Sequence, residues 1–196
     1  SSAFLSNKAF FLPSADPWIV SVLNSPAAWY LSWRHFPHMK DEALSNDGDK
    51  IVSMPIPRVL PVDAAAASEA AARLLDRTAS IRAADQAVAD WLHHEIGLAK
   101  LPAALSEASR LDSDTFVAAV RSALPKWVSL SPAELARVRE AFADTAEPAR
   151  VARLATLADE RTLSDIVDRA YGLTPEDVAL MWRTAPPRMP HRPPLN

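Results

Sequence analysis

Six side chains between residues 34 and 58, Arg34, His35, His38, Lys40, Lys50 and Arg58, supply most hydrogen-bond donors of the N-terminal part of the chain. Guanidinium, ammonium and imidazole groups suit phosphate oxygens and the acceptor edge of guanine, where a bidentate arginine contributes about 1–3 kcal/mol of discrimination. These six are therefore candidate DNA contacts; the competing reading is an ordinary solvated loop. His35, His38 and Asp41 could also gather a metal on one helix face, and His94 with Glu95 offers a second start. Pro37 interrupts the helical geometry that the first set needs, and adjacent residues such as His94 and Glu95 diverge on a helix. No metal site is expected.

Catalytic motifs are scarce. The chain has only three glycines, at 48, 97 and 172, too dispersed for a glycine-rich loop that cradles a phosphate or nucleotide. Asp16-Pro17-Trp18 resembles the Asp/Asn-Pro-Pro-aromatic signature with which amino-group methylases hold a flipped base, but one proline is missing. A helix cap explains it more simply, since Asp before Pro is a common helix start. The segment "LSDIVDRAYGLTPEDVALMWR" imitates a helix-turn-helix, yet its second helix would present Glu176 and Asp177 to the phosphates. A plain helical hairpin is the better expectation. Of the six tryptophans, Trp18, Trp29, Trp33 and Trp91 sit on apolar stripes, which favours packing over base stacking.

The charge balance narrows the partners. Lys plus Arg total 21 against 24 Asp plus Glu, a net charge of −3. Up to Val62 the balance is zero, with Lys8, Arg34, Lys40, Lys50 and Arg58 facing Asp16, Asp41, Glu42, Asp47 and Asp49. Phosphate contacts supply most non-specific DNA affinity, so this chain should bind DNA weakly without a basic partner. Cysteine is absent, which fits a reducing compartment. No run approaches the 18 or so apolar residues of a membrane helix, and the first residues lack a basic flank and apolar core. A soluble, untargeted, cytoplasmic chain is expected. Its start at Ser1-Ser2, without methionine, suits a piece of something longer.

Local signals place the candidates on elements. "AFLSNKAFFL", residues 3–12, reads as a strand or hairpin edge. "DPWIVSVLNSPAAWYLSW" reads as two helices broken at Asn24-Ser25-Pro26, because a proline inside one helix costs roughly 3 kcal/mol or more. Turn residues Asn46, Asp47 and Gly48 follow, and "IVSMPIPRVLP" looks like a strand running into an extended, proline-rich exit. From Asp63 an alanine-rich helix carries the stripe Leu74, Thr78, Ile81, Asp85, Val88, Leu92 and continues to His94, with Gly97 available to end it. Helices then start at Asp112 or Ser113, at the capping box Ser131-Pro132-Ala133-Glu134, near Pro148, and at Thr174-Pro175-Glu176-Asp177. Pro125 stops the first of these and Gly172 ends the third. The fold class is mainly α, with a small α+β N-terminal piece.

In order and spacing the motifs resemble the C-terminal part of large bacterial adenine-N6 DNA methylases of the type IIG restriction-modification kind, which carry a TaqI-like specificity domain. "SNKAFFLPSADPWIVSVLNSP" is similar to that domain's strand and Leu-Asn-Ser helix, and "MPIP" to its closing strand. "WLHHEIGL", "LDSDTFVAAVR", "LSPAELARVREAF" and "AYGLTPEDVALMWRTAPPRMP" are similar to the helical remainder. The loop of residues 35–50 departs most from the pattern, as do residues 99–110.

The resemblance implies three regions: residues 1–62 as the C-terminal part of a target-recognition domain, 63–184 as a helical region, and 185–196 as a proline-rich tail. It implies double-stranded DNA as partner, within a restriction-modification or phage-defence assembly, and S-adenosylmethionine in a methylase domain lying elsewhere. This chain has neither the cofactor loop nor the catalytic motif, so no catalytic or cofactor-binding residue is assigned. The rival expectation is a helical interaction module that docks a methylase or another defence protein without touching DNA. In the tail, residues 184–189 are expected to lie against the chain's own helices with Arg188 paired to a carboxylate, and residues 192–196 to stay mobile.

Overall fold

In the computed structural model, which describes residues 16–45, 48–125 and 127–190, Asp16 caps the first helix. Its carboxylate accepts the Trp18 N–H at 2.9 Å, and Pro17 opens α1 (Pro17–Leu23). Ser25 repeats the device for α2 (Pro26–His35): its Oγ accepts the Ala28 N–H at 3.1 Å and donates to the Val22 carbonyl at 2.7 Å. One serine therefore satisfies an orphan carbonyl of the first helix and an orphan N–H of the second, which holds the bend.

After α2 the chain makes a one-bridge turn, His38 pairing with Leu44 around the short 3-10 turn Lys40–Glu42. Then come α3 (Gly48–Ser53) and α4 (Ala64–His94). At 1.5 Å per residue α4 is about 46 Å long. Gly97, with φ of 76°, ends it in a left-handed turn that lets the Leu98 N–H reach the Leu92 carbonyl at 3.2 Å. A 3-10 segment (Leu105–Arg110), α5 (Ser113–Ala123), α6 (Pro132–Ala141), α7 (Glu147–Ala170) and α8 (Pro175–Arg183) complete the order.

The mainly α class holds. The expected strand at residues 3–12 and the turn at Asn46-Asp47 lie outside the described residues. The expected strand in "IVSMPIPRVLP" is not formed: Ile51 to Ser53 belong to α3, and residues 55–60 have no regular secondary structure and join no ladder. Pro55 and Pro57 have no N–H to give a neighbouring strand. Their carbonyls instead accept side-chain donors, Pro55 from the Tyr171 hydroxyl at 2.7 Å and Pro57 from Trp18 Nε1 at 2.8 Å.

A second difference concerns Pro148, expected near a helix start. The structure runs α6 into α7 without a break, through a wide π turn at Phe142–Ala146 in which the Glu147 N–H bonds to the Phe142 carbonyl. A proline cannot donate to the carbonyl four residues back, and widening the preceding turn accommodates that loss inside a continuous helix.

Two compact units form. One takes the chain up to Ala72 and from Asp159 onward; the other is Arg73–Ala158. In the first unit Val22, Ala27, Val167 and Met181 are buried, with Trp18, Tyr30, Tyr171, Trp182 and Met189 packed around them. Arg169 clasps Asp63 with two hydrogen bonds of 2.7 and 3.1 Å at the start of α4. This holds the Asp63 carboxyl below its usual range.

In the second unit the buried residues of the predicted stripe, Ile81, Asp85, Val88 and Leu92, face inward, and Phe116 lies 5.1 Å from Phe142 between ring centroids. Asp85 belongs there because Ser109 satisfies it: the Ser109 N–H and Oγ donate to its two oxygens at 2.8 and 2.9 Å. Arg153 closes the network, donating to Ser109 Oγ at 2.8 and 3.1 Å and to Asp85 at 3.4 Å. A buried carboxylate is tolerated when its lone pairs are filled in this way. Among the described residues no helix is long and apolar enough to cross a membrane.

Candidate nucleic-acid interface

α2 buries Ala27, Ala28 and Ser32, leaves Trp29, Tyr30 and Trp33 half-buried, with Tyr30 against the first unit's core, and exposes Arg34. Helical spacing sets the neighbours: Ala28 and Ser32, Trp29 and Trp33, and Tyr30 and Arg34 are each four residues apart and lie side by side on the helix surface. Trp29 and Trp33 have ring centroids 6.5 Å apart. The Arg34 guanidinium lies 3.4 Å over the Tyr30 ring and donates to the Tyr30 carbonyl at 3.2 Å. Such stacking holds the planar guanidinium in place and leaves its outer N–H groups for a ligand.

His35 ends α2, and the chain returns through His38. Its Nε2 donates to the Trp33 carbonyl at 2.8 Å, and its ring stands edge-on to Trp33 at 4.5 Å. Lys40 enters the following turn, where Asp41 takes a φ of 58°. Arg34, His35, His38 and Lys40 are thus exposed together along one short path. Lys50 and Arg58 are also exposed but lie on other elements, Lys50 on α3 and Arg58 on the proline-rich strap beside the Pro57 carbonyl that Trp18 holds.

Sequence reasoning placed residues 184–189 of the tail against the chain's own helices without singling out α2 as the helix they meet. Trp29 Nε1 donates to the Pro187 carbonyl at 3.0 Å. The Tyr30 hydroxyl lies 2.9 Å from Thr184 Oγ1, which itself donates to the Leu180 carbonyl, so Tyr30 is the donor. Pro186 is buried, and Met189 packs against the first unit's core. Residues 184–189 therefore do lie along the chain's own helices, as their apolar anchors suggested. The ion pair expected for Arg188 is absent among the described residues; the turn that carries it points it outward instead. Residues 192–196 lie outside the described residues.

Two groups elsewhere bear on chemistry. Asp168, buried near the end of α7, has an Oδ1 with no hydrogen-bond partner. Burial, with the like charge of Asp165, raises its carboxyl to about 6, against the opposing charge of Arg169. In the second unit a groove of about 330 Å³ runs between Trp91 on α4 and Arg137, Glu140 and Asp144.

The metal alternatives find no geometry. Among the described residues no three His, Asp or Glu side chains come together as a metal would need. His93, which precedes the second pair, has its Nδ1 bonded to the Leu98 carbonyl at 3.0 Å and its ring against His94. Of the three glycines, Gly97 and Gly172, with φ of 76° and 72°, terminate helices, and Gly48 opens α3.

No curated protein and no solved structure matches the chain. One family model, described as a Domain of unknown function (DUF8810), matches residues 62–167, which hold the Asp85, Ser109 and Arg153 network and none of the six basic candidates. That match takes in more than half of the 196 residues, and the chain belongs to the DUF8810 family.

Proposed function

We propose that this chain is the target-recognition region of a site-specific adenine-N6 DNA methyltransferase, in a restriction-modification or related phage-defence system, and is non-catalytic by itself. The observation that carries the reading is the outward face of α2 with its following turn. Arg34, His35, His38 and Lys40 are exposed there on a backbone braced by the Tyr30 stack and the His38 bond. A guanidinium held in place before binding loses less freedom on binding, which favours readout of guanine or phosphate over a mobile solvated loop. The chain's part is to set the register on duplex DNA. A methylase domain or subunit that binds S-adenosylmethionine then takes the flipped adenine and methylates N6. Such a protein works in the cytoplasm.

The test is photo-crosslinking of the chain, alone and with its methylase, to a duplex. Adducts within residues 34–58 support the reading, and a map without them refutes it. Calorimetric binding of S-adenosylmethionine to the chain alone would overturn its non-catalytic assignment.

A second reading has its own observation. Val151, Leu154 and Leu157 recur every three residues on α7, each 45–56% exposed, and Leu75 on α4 is 57% exposed. Apolar side chains at that spacing suit a protein partner. Crosslinks from this stripe to a methylase, with none from residues 34–58 to DNA, would select a docking module.

A further inference from the structure

We infer that Arg188, on the C-terminal strap, is a phosphate-contacting residue of the α2 surface; the inference rests on the DNA reading above and names a residue that reading did not include. Residues 186–189 form a turn in which the Met189 N–H approaches the Pro186 carbonyl at 3.4 Å and Arg188 occupies the third position with φ of 59°. That position of a turn of this kind favours glycine or asparagine, because a Cβ is crowded in the left-handed region. Asp41 and Arg188 are the two described non-glycine residues with positive φ, and both flank α2.

Asp41 is a residue type that tolerates the conformation, whereas an arginine there is a strained choice. Its side chain repays nothing inside the fold: it is exposed and forms no ion pair among the described residues. Both neighbours in the turn are anchored, Pro186 by burial and Pro187 through the Trp29 bond. The strap is therefore a rigid mount with one cation at its tip. Strain held on a rigid mount with an outward functional group is the pattern of a binding position.

The mount also sets the neighbours. Trp29, which holds Pro187, precedes Arg34 by five residues, about 7.5 Å of helix rise. Successive phosphates of one strand advance about 3.4 Å along the duplex axis, so contacts made from the two ends of this stretch of helix would fall a few phosphates apart on one backbone. Arg34, stacked on Tyr30 and next to His38, is placed for base-edge or phosphate contact, while Arg188 stands at the far end of the aromatic row as a pure backbone contact.

The experiment titrates the 196-residue chain with a short duplex of arbitrary sequence, following the indole resonances of Trp29 and Trp33 at several salt concentrations, so that weak binding stays visible. Arg188→Gly removes the cation and relieves the turn, while Arg188→Lys keeps the charge. For the glycine variant the expected result is an unchanged or higher melting temperature together with weaker binding, and a log-log salt slope smaller by about 0.9, the loss of one phosphate contact. Lysine should retain the wild-type slope. A glycine variant with the wild-type slope overturns the Arg188 assignment alone. A wild-type chain whose resonances do not move at any duplex concentration overturns the DNA reading, and this inference with it.

Discussion

Replacing Asp168 with asparagine should stabilise the protein at neutral pH and leave it nearly unchanged in acid. The wild-type carboxylate is buried with one oxygen unpartnered, and burial together with Asp165 lifts its pKa from 3.8 to about 6. The folded state therefore holds this proton more tightly than the unfolded state does. Below 3.8 both states are protonated and the group costs nothing; as pH rises through about 6 the folded state must carry a desolvated charge, and stability is lost. A difference of about two pKa units corresponds to at most about 3 kcal/mol at 1.36 kcal/mol per unit. Asparagine removes the charge but still buries an unpaired polar atom, which reduces the gain to about 1–2 kcal/mol. For a chain of this length that is a rise in Tm of roughly 2–8 °C.

Thermal melts of both proteins at pH 4, 5.5 and 7.5 check it, read as the variant minus wild type at each pH. The subtraction matters because Asp63, Asp112, Glu134, Glu147 and Asp177 have lowered pKa values from hydrogen bonds and an arginine partner or helix cap. These groups pull the wild-type profile the other way, losing stability as pH falls. A carboxyl carbon resonance for Asp168 should titrate near pH 6. An asparagine variant that melts no higher than wild type at pH 7.5, or whose advantage is equal at pH 4, refutes the account of Asp168 as a desolvated, unpartnered acid.

Ser109→Ala should destabilise by about 1–3 kcal/mol, because it strips a donor from buried Asp85 and an acceptor from Arg153; chemical denaturation measures it, and a loss below about 0.5 kcal/mol would mean the network is dispensable. Removing residues 185–196 takes away buried Pro186, Met189 and the partner of Trp29, so Tm should fall by about 2–4 °C for each kcal/mol lost. An unchanged melt would mean that the strap contributes nothing to stability. In the methylase assembly, Arg34→Ala should relax sequence preference by about 1–3 kcal/mol at one base position, and Arg58→Ala should weaken binding to all sequences alike. If neither changes affinity or preference, the assignment of these two arginines fails.

Helix boundaries in this chain were legible because their causes are local. Asp16-Pro17, Ser25-Pro26, Asp112, Ser131 with Glu134 and Thr174 with Asp177 all cap the helices they announce, each through a bond spanning two or three residues. The α4 stripe was legible for the same reason, since helical spacing sorts side chains by face wherever the helix goes. What lay beyond local reach was decided in three dimensions. Nothing near Asp85 announces a partner in Ser109, 24 residues on, or in Arg153, 68 residues on.

The proline-rich "IVSMPIPRVLP" has strand-like residues, yet whether such a segment becomes a strand depends on finding another strand to pair with. Here Trp18, 39 residues before Pro57, and Tyr171, 116 residues beyond Pro55, took its carbonyls instead. The candidate interface divides the same way. Residue type picked out Arg34, His35, His38, Lys40, Lys50 and Arg58, of which the last two lie on other elements. Bringing Arg188 to α2 required the Trp29 bond to Pro187, 158 residues away. A hydrogen bond is set by where two groups end up, and for groups that far apart the intervening fold, rather than either residue, determines that position.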